Sequence, residues 1–349
     1  MPINIAILST AHIHTKGFID NLKKGADGRV AYAVWDDVAE RGKRYAESCG
    51  ATFVADLKAV LSDPNVHGFL ICAENTKHMP LLEKALPVGK PVFCEKPLAC
   101  TTAEITKIRA LVAKHKTPLF CGYFQPFGAH MRTIKATIDN GGLGKVTHVR
   151  FRNAHHAAYG RWFDNPDLAW FTDPKLAGGG AFMDMGTHAV HLLRSLFGPV
   201  KRVWATIGNR CGAYPKCDDM GIAHLEFVNG ILGTVEAGWI QQGGPGGLEI
   251  QGSNGAIWDV PGKGYHQGKP GSDAQPVQPA EARPATVDRL IAVIEKKIPA
   301  AELTADLAAC QDAVLIMEAA YKSAKSGKWE NVAASKPAAK AKAKAKAKG

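Results

Sequence analysis

VHGFLIC (66–72) is followed by an amphipathic stretch at 78–86 and then by PVFC (91–94). Two short apolar runs joined by a helix-length segment form the unit from which parallel sheets are built. The same alternation extends outward in both directions. INIAIL (3–8), VAYAVW (30–35) and PLFC (118–121) are short, partly β-branched runs, and 38–49 and 102–115 are amphipathic. Over residues 1–122 this predicts a doubly wound α/β layer, with a parallel sheet covered by helices on both faces. Thr101, Thr102 and Glu104 mark a helix start, with Thr101 as the cap and Glu104 as its reciprocal partner.

After Cys121 the texture changes. A helix-like stretch at about 128–140 leads into the strand-like VTHVRFRNA, and a Trp- and Asp-rich loop follows at 159–177. GGGAFMDMGTHAVHLLRSLFG then carries apolar residues at helical spacing. Segments 200–208, 222–228, 231–241 and 247–259 read as strands, with Asn229-Gly230 the best hairpin signal in the chain. A Pro- and Gly-rich loop is expected over 261–284, and helices over about 285–297 and 304–326. Residues 123–332 therefore read as an α+β domain with a mostly antiparallel open sheet.

The 349 residues carry a net charge of +11, but six lysines and no acid lie in KPAAKAKAKAKAKG (336–349), leaving +5 for the remainder. Residues 333–349 read as a disordered Lys/Ala-rich tail, open to weak polyanion binding but without the aromatic residues that stack on bases. No apolar run is long enough to span a membrane, and the start lacks the basic and small-residue features of a secretory signal. The eight cysteines form no C-x-x-C pair, and Cys72, Cys94 and Cys121 close apolar runs as small hydrophobes do. The expectation is a cytoplasmic protein with reduced thiols.

Chemistry concentrates at the ends of the predicted strands. The turn after the first strand, Ser9-Thr10-Ala11-His12-Ile13-His14, stands where a pyrophosphate-binding loop would. Ser9, Ala11 and His14 occupy the three glycine positions of G-x-G-x-x-G, and an ordinary strand-to-helix turn is the competing reading. Asp36, at the end of the second strand, can accept hydrogen bonds from an adenosine ribose, favouring NAD over NADP; a helix cap is its alternative role. Glu95-Lys96-Pro97 follows PVFC and places a cationic donor where a substrate hydroxyl would lie. Asp184 and His188 are four residues apart, so on an α-helix they share one face, either as an acid–base pair or as a surface pair.

KPVFCEKPLA, preceded by ENTKHMPLLEKAL, resembles the Gfo/Idh/MocA oxidoreductase family. LAGGGAFMDMGTHAVHLLRSLFG, HLEFVNGILGTVEAGW and EAAYKSAKSGKW extend the resemblance to about residue 332. The resemblance implies a Rossmann-type cofactor domain and oxidation of a secondary hydroxyl of a sugar, polyol or derivative with a nicotinamide. It also implies self-association through the second sheet. Lys96, Asp184 and His188 take the catalytic positions: His188 as base, Asp184 orienting it, and Lys96 steadying the alkoxide. Asn75 and His78 fall in the cofactor loop after the fourth strand, with Ser9, Thr10, Ala11, His12, Ile13, Asp36, Glu95 and Lys96 completing the cofactor set. Tyr123 and His155 are expected in the substrate pocket. Some members run redox-neutral glycoside cleavage or elimination on a tightly held NAD, and a non-catalytic dinucleotide-binding regulator would keep the same fold. Glu74 stands where proline is common, and His191 replaces a common aspartate. A metal on Asp184, His188, His191 and the His155-His156 pair is conceivable, but none is expected.

Overall fold

The computed structural model describes residues 2–332, so the expectations for the tail lie outside the described residues. The chain begins β1 (Ile3–Leu8), α1 (Thr15–Lys24), β2 (Arg29–Trp35), α2 (Ala39–Cys49), β3 (Thr52–Phe53) and α3 (Leu57–Ser62). It continues β4 (Gly68–Ile71), α4 (His78–Ala85), β5 (Val92–Cys94), α5 (Thr102–His115) and β6 (Leu119–Cys121). The six strands form a parallel sheet in the order β3-β2-β1-β4-β5-β6. Helices cover both faces, which is why the central strands are nearly continuous apolar runs. The β3–α3 pair was not foreseen: two residues of strand give no periodicity to read.

Thr101 caps α5 as the sequence predicts, with its hydroxyl accepting from the Glu104 amide and the Glu104 carboxylate returning to the Thr101 amide. Thr101→Ala is expected to lower the unfolding free energy by about 1 kcal/mol, read from the denaturant midpoint at unchanged slope.

The second part contains α6 (Ala129–Asp139), β7 (Val146–Ala154), α7 (Pro174–Ala177), α8 (Thr187–Phe197), β8 (Val200–Gly208), β9 (Met220–Phe227) and β10 (Leu232–Gly238). After these come β11 (Gly247–Gly252), β12 (Gly255–Val260), β13 (Gly264–Gly268), β14 (Gln275–Pro276), α9 (Thr286–Ile294), α10 (Ala300–Ser326) and β15 (Glu330–Asn331). Nine strands pair in the order β14-β13-β12-β11-β7-β10-β9-β8-β15, antiparallel except for β7 with β10. Asn229-Gly230 does make the β9–β10 turn, with Gly230 at φ +86°.

Three expectations need correction. The segment 247–259 is two strands, not one, folded back at Ser253-Asn254. A Cβ at Gly252 would collide with the Leu143 carbonyl, so the close approach of that segment needs a glycine there. The stretch 261–284 is not wholly loop, since it supplies the short strands β13 and β14. Finally, α9 does not pack with the second sheet. Its Val287, Leu290, Ile291 and Val293 join Ile5, Ile7 and Phe93 in the core of the first. The division at residue 122 follows the chain but not the packing, because an apolar helix face does not announce which sheet it will cover.

Candidate active site

Leu8, Ile71 and Cys94 stand side by side in register, so the turns after β1, β4 and β5 rise from one edge of the first sheet. That edge is where ligands bind in open parallel sheets. Ser9 takes φ +66°, the left-handed conformation that glycine usually supplies at this first position. The local backbone therefore keeps the shape of a phosphate-binding turn without its glycines, and hollows open on both sides of it. One, near β2, is lined by Ser9, Asp37, Ala73 and Lys77. The other is a cavity of about 350 Å³ between the two sheets, bordered by Ile13, His14, Lys96, Asp184, His188 and an aromatic wall. The residues thus fit a dinucleotide stretched across the sheet edge.

Not every expected cofactor residue is free to touch one. The Asp36 carboxylate accepts from the Thr10 amide and hydroxyl, the Val38 amide and the Arg41 guanidinium. It is buried, and Arg41 and Thr10 hold it below the usual carboxylate range against the opposing effect of burial. Asp36 is therefore an anchor for the turn, and the neighbouring Asp37, paired with Lys77, is the carboxylate at the hollow. His78 is also internal: its ring nitrogens lie 2.8 Å from the Pro97 carbonyl and 3.1 Å from that of Ala73. Burial lowers its pKa, and its role is to hold the Glu95-Lys96-Pro97 turn against α4. Asn75 donates to the Ala177 carbonyl, and its Oδ1 has no hydrogen-bond partner among the described residues. The Ala11 carbonyl accepts from Trp170 Nε1, and His12 is enclosed by Trp170 and Phe171.

Across the cavity, Lys96 Nζ lies 2.5 Å from Asp184 Oδ1, and Trp239 Nε1 donates to Asp184 Oδ2 at 3.0 Å. Asp184 sits in a π-turn, Phe182–Gly186, immediately before α8. The wider turn departs from the α-helical spacing that would stack it beside His188. Its two oxygens accept from Lys96 and Trp239, and His188 Nδ1 has no hydrogen-bond partner among the described residues. Asp184 forms no hydrogen bond to His188 among the described residues; its carboxylate is paired with Lys96. Burial, then the Lys96 cation, press the His188 pKa well below its ordinary value, so the ring is neutral near pH 7.

Burial pushes the Asp184 carboxyl up, but Lys96 and the Trp239 N–H outweigh it and hold it at about 2, against 3.8 ordinarily. A carboxyl depressed by folding stabilises the fold above its unfolded pKa and loses that contribution as pH falls through the folded one. The window here is pH 4 to 2, and the difference corresponds to about 2.5 kcal/mol. The gap in unfolding free energy between wild type and Asp184→Asn is expected to shrink by about that amount on acidification. A gap independent of pH over that window would contradict the ion pair.

Of the expected substrate residues, His155 lines the cavity, stacked on Trp162 at 4.8 Å between ring centres. Tyr123 does not. It is buried behind His188, stacked on His191 at 4.0 Å, with its hydroxyl bonded to Thr187. The adjacent Phe124 and Gln125 border the cavity in its place. His191 stacks on Tyr123, and burial presses its pKa down to about 3. Sequence reading passed over Trp162, Phe163 and Phe171 as cavity walls, Trp239 as a donor, and His14. His14 Nδ1 lies 3.2 Å from Glu95 Oε1, and His12, His14 and Glu95 bring potential metal-ligating atoms within 4.8 Å of one another.

Residues 3–123 match the oxidoreductase family with an NAD-binding Rossmann fold, and residues 131–258 match the GFO/IDH/MocA C-terminal domain. The chain belongs to the Gfo/Idh/MocA oxidoreductase family. Myo-inositol 2-dehydrogenase of Thermotoga maritima is 27% identical over 251 residues, which is 68% of this chain and 70% of that one. Levoglucosan dehydrogenase of Pseudarthrobacter phenanthrenivorans is 28% identical over 210 residues, 52% of either chain. An uncharacterized oxidoreductase of Bacillus subtilis is 27% identical, with the match spanning 58% of its length. The chain thus aligns with between half and 70% of these relatives. Among solved structures, an inositol dehydrogenase homolog from Azotobacter vinelandii complexed with NAD+ superposes with a TM-score of 0.80 at 19% identity, covering 95% of this chain and 97% of that one. Levoglucosan dehydrogenase with NADH and levoglucosan gives 0.77 at 19% identity, covering 96% and 100%. These solved structures share the fold of this chain. No helix among the described residues is long and apolar enough to cross a membrane.

Proposed function

We propose that this chain is an NAD-dependent dehydrogenase that oxidises a secondary hydroxyl of a sugar, polyol or sugar derivative. The observation that carries the reading is the Lys96–Asp184 pair. It sits at the carboxyl edge of a Rossmann sheet, in a cavity whose other walls are Trp162, Phe163, Phe171 and Phe124. Aromatic faces suit the C–H surfaces of a sugar ring, while Lys96, Asn153, His155 and His188 offer hydrogen bonds to its hydroxyls. When bound, NAD supplies the hydride acceptor. Lys96, held by Asp184, donates to the reacting oxygen and stabilises the negative charge that builds there, while a pocket imidazole takes the hydroxyl proton.

NAD is preferred to NADP in this reading because Asp36, Asp37 and Glu74 surround Arg41 and Lys77 at the end of β2 in mutual ion pairs. Those cations are already spoken for, and the carboxylates repel a 2′-phosphate. The outward face of the second sheet, with Trp204, His224, Leu232 and Trp329, is the surface we assign to self-association.

The test is mass analysis of small molecules released on denaturing the purified protein, then calorimetry with NAD and NADP. A panel including myo-inositol and levoglucosan follows, monitored by nicotinamide absorbance. Release or binding of NAD together with turnover of a polyol is the expected outcome. Binding of neither dinucleotide would sink the proposal.

A further inference from the structure

We infer that the groove between α5, the start of β6 and the first half of α10 is a binding site for a small amphipathic carboxylate. It shares no lining residue with the substrate cavity, so it stands or falls apart from the dehydrogenase reading.

The groove follows from the spacing of residues on its two helical walls. On α10, Leu303, Leu307 and Gln311 recur four residues apart and share one face. On α5, Val112 and the C-cap residue Lys116 have the same spacing, with Arg109 one turn before Val112. Pro118, leading into the last strand of the first sheet, completes the lining. The space between them is about 520 Å³, within the range of small-molecule sites. Val112, Pro118, Leu303 and Leu307 are only half-buried, so their apolar surface is left to solvent.

The polar groups that border this surface are few, and their charges have one sign. Arg109 and Lys116 line the groove, and no aspartate or glutamate does. The α10 carboxylates nearest in sequence, Glu302 and Asp306, are bonded to Arg289 instead. Among the described residues neither Arg109 nor Lys116 is ion-paired, so the groove carries two uncompensated cations. Gln311 supplies an independent sign of a ligand. It is 6% exposed, and its Oε1 has no hydrogen-bond partner among the described residues. A buried amide left in that state destabilises the fold, and a ligand in the groove relieves it. The amide offers its oxygen or, turned about its last bond, the N–H groups that donate to a carboxylate.

This chemistry is unlike that of the substrate cavity. No aromatic residue lines the groove, so it lacks the flat faces that suit a sugar ring. Aliphatic walls with cations beside them match a hydrocarbon or apolar ring that ends in a carboxylate. A positively charged amphiphile of the same length meets the same walls and the wrong charge.

Calorimetry near pH 7 in low salt tests this, with decanoate kept below its micelle concentration. The wild type is expected to bind decanoate one-to-one and not to bind decyltrimethylammonium. Arg109→Ala and Lys116→Asn are each expected to weaken decanoate binding about fivefold, with smaller losses at high salt. Asn tolerates the left-handed backbone that Lys116 adopts at φ +55°. Thr304 lines the groove at an exposed position of α10, so Thr304→Glu adds a repelling carboxylate without disturbing the core. It is expected to weaken binding about tenfold or more, with the thermal midpoint showing that the variant is folded. Equal binding of the two amphiphiles overturns the charge selection. Wild-type affinity in Thr304→Glu places decanoate elsewhere and overturns the site. So does a wild type that binds no decanoate, and sedimentation showing self-association that Thr304→Glu abolishes would then make the groove an interface between copies.

Discussion

Replacing Lys96 with Met is expected to lower kcat by about 100- to 1000-fold on the polyol identified by the panel, with NAD still bound. The Lys96 side chain is 3% exposed, its ammonium is bonded to both the side chain and the carbonyl of Asp184, and it lines the cavity with His188. A fixed positive charge in a dry site stabilises a developing alkoxide without reorganising water. Met keeps the stem and removes only that charge. It also leaves the Asp184 carboxylate buried with Trp239 as its only side-chain hydrogen-bond donor among the described residues, so a stability loss of about 3 kcal/mol is expected alongside. The double variant Lys96→Met/Asp184→Asn separates the two effects: the stability should largely return and the rate should not. A single variant that retains wild-type kcat with NAD bound would remove Lys96 from the chemistry.

How far the sequence carried this reading depended on the range of the interaction involved. The α/β alternation, the α5 cap and the Asn229-Gly230 turn are local features, written in periodicity and turn residues, and the structure has them where they were expected. Lys96 and Asp184 were marked as site residues by motif, and the fold brings them together across 88 positions of chain. What could not be read was which partner each polar group chose. Asp36 ends a strand as a ribose ligand would, yet Arg41, one turn into the next helix, claims it. Asp184 and His188 have helical spacing, but Asp184 lies in a π-turn and its carboxylate bonds a tryptophan just past β10. His14 was visible only as a missing glycine, and its pairing with Glu95 spans 81 positions. Tertiary hydrogen bonds of this kind leave no periodicity behind.

A second large effect is expected far from any motif. Arg289, on α9, is 1% exposed and bonds through Nη1 to Glu302 at 2.8 Å and through Nη2 to Asp306, both on α10. Its guanidinium also lies 4.5 Å over the Phe127 ring and 5.8 Å from that of Phe120. It thereby joins the helix that packs under the first sheet, the long helix beyond it, and the segment that carries Phe124 and Gln125 to the cavity. Burial already raises the Asp306 carboxyl above its usual value even with Arg289 beside it. Arg289→Met would leave two carboxylates facing each other with only the more distant Arg283, 3.7 Å from Glu302, to offset them, and breaking a buried pair in this way costs about 3 kcal/mol or more. The sign of the pH dependence follows from the same cause. A carboxyl whose folded pKa is raised, as that of Asp306 is, penalises the fold at neutral pH, and that penalty fades as pH falls and both states become protonated. The stability deficit of Arg289→Met is therefore expected to be largest near pH 7 and to narrow toward pH 4, measured by denaturant unfolding at each pH. Adding Glu302→Gln and Asp306→Asn should recover most of the deficit at pH 7, because the amides need no counter-charge. A deficit that persists unchanged in that triple variant would show that Arg289 acts through its packing on Phe127 and Phe120 and not through its charge.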